Sequence, residues 1–382
     1  MRVLVFGCGN IGSVAAKDVA INLASADVVV ADIDENRARR VAENIGTDNV
    51  SHIQLDATDY QSLLTTVKDF AIVLGFLPGG LGYRLATACV KARKNMVDVS
   101  YMAENPLKLS EEAEEADITI VPDCGLAPGI SNLFVGRAVA SLDRVKTVHI
   151  LVGGLPEKPV PPLGYTITWS PESLIDEYTR KAGIIDKGVK SEVEALTGLE
   201  KIVFPRLGRL EAFYTDGLRT LLHTIEGVDE MWEKTLRYPG HAEKIKTLRA
   251  LGFFDQAQVE VGNVSVSPRL VTARLFERKL HKQETKDVVA LRVEVSGTKN
   301  GRQLTYTYSL LDFYDQTQKI TAMARTTAYP ASIIAQLIFK KTLKFKGVVP
   351  LEMIGKNDTL FKALISELQR RHIKVIEEKT AG

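Results

Sequence analysis

The chain has 382 residues, 45% hydrophobic and 25% charged, with a formal net charge of +2; it is long enough for two or more domains, and its charge gives no case for nucleic acid or an anionic membrane as partner. No apolar run approaches the roughly 20 residues that span a bilayer, and the chain opens directly on a strand, so neither a membrane span nor a signal peptide is expected. Three cysteines without CxxC spacing (Cys8, Cys89, Cys124) and six histidines without an HExxH pattern point to a reducing cytoplasm, no disulfide framework and no metal.

Residues 2–6 form an apolar β-type run that breaks into Gly7-Cys8-Gly9-Asn10-Ile11-Gly12, and 13–20 follow at helical spacing. In that strand, turn and helix, Gly7 allows the tight turn, Gly9 leaves room for a pyrophosphate, and Gly12 lets helix and strand pack closely. The helix's free N–H groups then face the phosphates. The next strand, 28–32, ends in Asp32, 20 residues after Gly12. A carboxylate there hydrogen-bonds the ribose hydroxyls of NAD and repels the 2′-phosphate of NADP. NAD is the expected cofactor, with Arg37 near enough to reach a 2′-phosphate.

A helix over 36–45 and a strand over 50–55 lead to Asp56-Ala57-Thr58-Asp59. Here Thr58 or Asp59 caps the next helix, or the loop, with Asp56, lies at the adenine end of the cofactor. The nearly all-apolar strand 71–74 suits a parallel sheet covered on both faces. It ends in a loop at the sheet's carboxyl edge, so Phe76, Leu77 and Pro78 complete the cofactor-binding candidates. A helix over 81–92, a strand over 95–99 carrying Asp98, then Ser100-Tyr101, an acidic helix over 110–115 and a strand over 118–121 follow. This alternation predicts an α/β fold, a Rossmann doubly wound parallel sheet, over 1–125.

The prolines and glycines of 122–132 end the alternation, and a helix over 130–142 leads out of the first domain. Strands at 148–152, 202–204 and 209–214, and a hairpin of 288–295 with 303–313 about Lys299-Asn300-Gly301, then mix with helices at about 171–182, 216–225, 240–251 and 268–280. The expectation is an inserted α+β domain of mostly antiparallel sheet over 126–325. A helix starting at Tyr329-Pro330, another over 359–371 and a strand at 373–376 suggest that 326–382 returns to the Rossmann domain.

An inserted second domain puts the reactive nicotinamide at a cleft, so polar loop residues are the substrate candidates. Three clusters stand out: Gly164 to Glu172 with Trp169 and a cap candidate, Ser170; Glu211 to Thr220 with Asp216; and Lys234 to His241. Each has a plainer reading as helix cap or core. Arg237 offers a bidentate clamp for a carboxylate, and His241 titrates near neutrality.

The Gly7–Gly12 turn, Asp98-Val99-Ser100-Tyr101 and the Pro122–Gly129 crossover resemble the saccharopine dehydrogenase family. Gly153-Gly154-Leu155-Pro156, Gly164-Tyr165 through Trp169-Ser170, Tyr214–Gly217 and Lys234–His241 resemble more narrowly its lysine 6-dehydrogenase branch. The resemblance implies a substrate-binding and dimerisation domain, a homodimer or higher homo-oligomer, and NAD-dependent oxidation of the ε-amine of L-lysine. The implied product is 2-aminoadipate 6-semialdehyde, cyclising to piperideine-6-carboxylate with release of ammonia and NADH. Asp98, Tyr101 and His241 are then the catalytic candidates, and Asp123, Trp169, Asp216, Thr220 and Arg237 the substrate-binding ones. A saccharopine reductase, with a further clamp from Arg206, Arg209 or Arg219, and a non-catalytic NAD-binding sensor or scaffold are the alternatives.

Overall fold

A computed structural model describes residues 1–281 and 286–381; residues 282–285 and 382, inside the expected second-domain and C-terminal spans, lie outside the described residues. The chain divides into two compact units, Met1–Ala140 with Ala324–Ile373, and Ser141–Met323 with Lys374–Gly382.

The first unit opens with β1 (Arg2–Phe6), α1 (Asn10–Asn22), β2 (Asp27–Asp32), α2 (Glu35–Ile45), β3 (Val50–Gln54) and α3 (Tyr60–Val67). It continues with β4 (Ile72–Gly75), α4 (Gly79–Ala92), β5 (Asn95–Asp98), α5 (Ser110–Glu115), β6 (Thr119–Val121) and α6 (Ile130–Ser141). The second unit comprises β7 (Arg144–Pro156), α7 (Pro171–Thr179), β8 (Ala182–Asp186), β9 (Val189–Val193), β10 (Glu200–Phe204), β11 (Gly208–Tyr214), α8 (Leu221–Thr224) and β12 (Glu230–Arg237). Next come α9 (His241–Ala250), β13 (Val259–Val261), β14 (Val264–Val266), α10 (Pro268–Leu280), β15 (Asp287–Lys299) and β16 (Arg302–Phe313). The chain closes with α11 (Ala322–Phe339), β17 (Gly347–Val348), α12 (Leu351–Lys356), α13 (Asp358–Arg370) and β18 (Val375–Ala381).

Among the described residues the first unit holds a parallel sheet in the order β17-β6-β5-β4-β1-β2-β3. This is the doubly wound Rossmann arrangement, reversing between β1 and β4. One face packs Leu4, Phe6, Val29, Val73 and Met96 against Leu63, Val67, Leu85 and Cys89 of the flanking helices. The second unit holds the mixed sheet β10-β11-β12-β7-β15-β16-β18; β12 runs parallel to β7, and its other neighbours along that path are antiparallel.

Three expectations change. The division falls after Ala140, not near Gly125, because α6 belongs to the first unit's core. Gly136 and Gly355 bring α6 and α12 into main-chain contact, and a Cβ on either would strike the other helix's carbonyl. The last strand pairs with β16, so Lys374 onward stays with the second sheet instead of returning to the Rossmann domain. The helix expected at Tyr329 begins at Ala322 and runs through Pro330. An internal proline costs about 3 kcal/mol. Burial of Ile333, Ile334, Leu337 and Ile338, at about 1.5–3 kcal/mol each, outweighs that cost.

Candidate active site

The glycine turn is built as a phosphate cradle. Gly7 adopts φ +105°, and a Cβ there would meet the Phe76 carbonyl; a Cβ at Gly12 would meet the Gly7 carbonyl. Gly9 is different: no surrounding atom lies within 4 Å of where its Cβ would stand. It is also the N-cap of α1, where no side chain takes the free N–H groups. Open space beside uncapped amides fits a dinucleotide's pyrophosphate. Asn10 and Ile11 form the first turn of that helix, and Phe76 packs beneath the cradle with its N–H donating to the Phe6 carbonyl at 2.8 Å. Leu77 is half-buried, and Pro78 stands at the N-cap position of α4 without a side-chain hydrogen bond.

Asp32 is 5% exposed. Its Oδ2 accepts from the Cys8 N–H at 2.8 Å and its Oδ1 from the Asp34 N–H at 3.0 Å. The Arg37 guanidinium stands 3.7 Å from Oδ1. In the next loop Asp59 caps α3, accepting from the N–H groups of Gln61 and Ser62. Asp56 closes its own turn, accepting from the Thr58 N–H and hydroxyl, both at 2.8 Å.

Asp98 ends β5 and Asp123 follows the neighbouring strand β6, at the sheet's carboxyl edge, and both are buried. Asp98 Oδ2 accepts from the Ser100 N–H at 3.0 Å and, by a short bond, from its hydroxyl. Its other oxygen packs where a Cβ at Gly75 would stand. Asp123 holds a left-handed backbone, φ +50°. Tyr101 is half-buried, and its carbonyl abuts Gly79.

In the second unit Arg237 and His241 come together, though not as the clamp and proton carrier expected of them. Arg237 is 3% exposed and grips the protein's own Glu177, with Nη2 at 3.2 and 3.0 Å from the two carboxylate oxygens. Its Nη1 donates to the Leu236 carbonyl at 2.9 Å, its Nε to Tyr178 at 3.3 Å, and the guanidinium stacks 4.6 Å over Tyr165. Glu177 thus engages the guanidinium that the sequence offered to a substrate carboxylate.

His241 Nδ1 lies 2.9 Å from the Leu163 carbonyl, which can only accept, so Nδ1 carries the proton. Nε2 then accepts from the Tyr178 hydroxyl at 2.8 Å. Burial first, then the Arg237 charge, pushes the imidazole down to about 3. A histidine neutral across the physiological range, with both nitrogens occupied, relays no proton to a substrate. Arg237 responds oppositely: burial opposes its charge, and Glu177 more than offsets that.

The network extends outward. Thr235 donates to Glu177 Oε1 at 2.7 Å, so the 2.9 Å bond to Thr215 has Thr215 as donor. Glu211 accepts from the N–H groups of Gly240 and Ala242 at 2.9 and 2.6 Å and caps α9. Trp169 packs on the helix-side core, its Nε1 donating to Tyr165 at 3.0 Å, and Ser170 caps α7. The helix expected over 216–225 shrinks to Leu221–Thr224, because Arg219 takes φ +53°. That bend brings Arg219 and Arg180 to 3.6 and 3.5 Å from one oxygen of Asp216, with Thr220 buried beside it in sequence.

Glu177, Tyr178 and Arg180 escaped the sequence reading. The available signal was Glu233, Thr235 and Arg237 at alternate positions of β12. Polar groups on a strand's buried face need partners from whatever covers it, and for Thr235 and Arg237 α7 supplies them.

Two family models account for nearly the whole chain: the saccharopine dehydrogenase NADP binding domain over residues 3–121 and the saccharopine dehydrogenase C-terminal domain over 125–373. The chain belongs to the saccharopine dehydrogenase family. Its first unit is therefore a pyridine-nucleotide-binding Rossmann domain within an oxidoreductase family. The alpha-aminoadipic semialdehyde synthase of Arabidopsis thaliana is 26% identical over 92% of this chain, which spans 40% of that protein's length. The saccharopine dehydrogenase (NADP(+), L-glutamate-forming) of Saccharomyces cerevisiae is 23% identical, covering 100% of this chain and 99% of its own. A solved structure of apo saccharopine dehydrogenase (L-Glu forming) from that yeast overlays with TM-score 0.79 at 20% identity, over all of both chains, and establishes the shared fold. Among the described residues, no three or more His, Cys, Asp or Glu side chains gather as a metal site, and no helix is long and apolar enough to cross a membrane.

Proposed function

We propose that this chain oxidises the ε-amine of L-lysine with NAD, releasing ammonia, NADH and 2-aminoadipate 6-semialdehyde, which cyclises to piperideine-6-carboxylate. The observation that carries this reading is the pair of buried carboxylates, Asp98 and Asp123, at the carboxyl ends of adjacent strands in the sheet's second mononucleotide half. Their negative charge suits a cationic amine better than an acidic side chain. The nicotinamide, when bound, accepts the hydride from C6.

The chain's own residues then have two tasks. Hydride leaves only a neutral amine, whose ordinary pKa is near 10.4. The ammonium proton passes to Asp123 or Asp98, with Ser100 fixing Asp98's orientation. Tyr101, three residues on, orients the amine. The α-carboxylate then needs a cation other than Arg237, which Glu177 already engages. A homodimer formed through the second sheet is part of this reading. β18 forms one end of the sheet and carries Ile376 at 60% exposure. Sedimentation velocity returning only monomer would remove that part.

The alignment with the yeast enzyme extends 72 positions beyond this chain's length (454 against 382). A shorter chain supports a smaller substrate than saccharopine. The saccharopine-type reading keeps the full-length yeast likeness in its favour. Both are tested by supplying lysine and NAD alone and measuring NADH and ammonia together. One-for-one formation supports lysine oxidation; turnover only with saccharopine, or consumption of reduced cofactor only with glutamate and the semialdehyde, replaces it by the alternative; silence throughout leaves a nucleotide-binding sensor or scaffold.

A further inference from the structure

We infer that the ribbon β13–β14 and the outer side of α10 form a docking surface for a second copy of this chain, which meets it with the same surface. Neither the cofactor nor the amine enters into this contact, and the ribbon stands outside the mixed sheet that ends in β18.

Among the described residues β13 and β14 pair only with each other. Their register sets Val261 opposite Val264 and Val259 opposite Val266. Cross-strand partners share a face, as do residues two apart on a strand, so all four valines stand on one side. Glu260 and Ser265 make the other, where the Ser265 hydroxyl donates to Gln258 at 2.5 Å. Such alternation belongs to a strand pair with one face covered. Here Val259, Val261 and Val264 are 49–62% exposed. A bare two-stranded ribbon is marginally stable at best in water.

The helix beside it has the same surplus. Thr272, Ala273, Phe276 and Leu280 of α10 are buried, while Leu270, Val271 and Leu275 are exposed. A surface helix needs one apolar stripe; a helix apolar all round is ordinarily buried all round. The two elements adjoin. Only Ser267 separates β14 from α10. The Arg269 N–H donates to the Asp255 carbonyl at 3.1 Å and the Thr272 hydroxyl to the Phe253 carbonyl at 2.8 Å, which ties the turn before the ribbon to the helix.

Of the 17 large apolar side chains exposed among the described residues, eight fall within 251–275. Together they present on the order of 800 Å², one partner's share of a standard protein–protein interface. Charge selects the occupant. Four basic and three acidic side chains over 251–281 leave a net charge of +1. A patch of mixed sign close to neutral does not repel its own copy, whereas an anionic membrane favours clusters of basic residues. A two-fold contact then packs the valine face on its own image and buries both.

Sedimentation velocity of the full chain should show an assembly whose mass halves in Val261→Glu/Val264→Glu and in Leu270→Glu/Leu275→Glu, with circular dichroism unchanged. The halving is expected whether or not the β18 end also pairs, and Ile376→Glu should leave the ribbon contact in place. Val261→Cys adds an accessible thiol to a chain whose three cysteines are buried. Air oxidation with copper phenanthroline should join two such copies into a dimer that reductant splits. Val189→Cys, exposed on β9, should stay unlinked. A wild-type chain that sediments as monomer, glutamate variants that keep the wild-type mass, or equal linkage at positions 189 and 261 would each overturn the inference. If the monomer instead co-sediments with phosphatidylserine vesicles, the patch belongs to a membrane surface.

Discussion

Glu177 and Arg237 show how differently two ion pairs in one chain are valued. Both partners are buried, and the Arg237 donors are spent on Glu177, Tyr178 and the Leu236 carbonyl. Removing one partner of such a pair strands a buried charge, at about 3–5 kcal/mol. Glu177→Gln should therefore lower unfolding free energy by on the order of 3 kcal/mol in denaturant titration. Glu35→Gln, which breaks the exposed 3.2 Å pair with Arg39, should change it by under about 0.5 kcal/mol. Equal effects would mean that the Arg237 network is not a structural anchor. These residues also show the limit of reading function from residue type. Arginine beside histidine in Arg237–His241 invites a substrate clamp and a proton carrier, but the chemistry of both depends on what covers them.

At the scale of elements, α6 illustrates why a composition break is not a domain boundary. The proline–glycine stretch at 122–132 ends the strand–helix alternation, yet the helix after it is a core element of the first unit, with Ile130, Leu133, Phe134 and Val135 all buried. Its contact with α12 depends on glycines. Gly136→Ala would drive a methyl into the Glu352 carbonyl, a main-chain atom that cannot swing aside. The expected cost is about 1–3 kcal/mol, read as a lower Tm. An unchanged Tm would show that the two helices separate freely.

At the scale of the whole molecule, two buried titrating groups oppose one another. His241 is pushed down to about 3 by burial, so the unfolded chain binds its proton first, and stability is lost as pH falls from about 6.5. Asp287 is pushed up to about 6, chiefly by burial, although it accepts from the N–H groups of Ala322 and Met323 at 2.7 and 2.9 Å. The folded chain binds that proton first, so stability rises as pH falls from about 6 to about 4. The two slopes, each up to about 1.4 kcal/mol per pH unit, cancel over that window. Asp287→Asn should expose the histidine's acid loss between pH 6 and 4, and adding His241→Gln should remove it, both followed by Tm. If Asp287→Asn has the same pH profile as wild type over that window, this assignment is wrong.

The sequence by itself determined the Rossmann unit, the glycine cradle, Asp32 at the end of β2 and the α+β character of the second unit. These follow from local order, because a strand, a glycine turn and a helix are neighbours in the chain and their periodicities are visible over a few residues. Only the tertiary structure decided the partners. Glu177 lies 60 residues from Arg237, and Leu163 lies 78 from His241, so no spacing rule connects them. It also decided where Lys374 onward goes, because strand order in a sheet depends on pairing across the chain. Charge state followed burial in the same way: His241 is a neutral structural group because the fold encloses it.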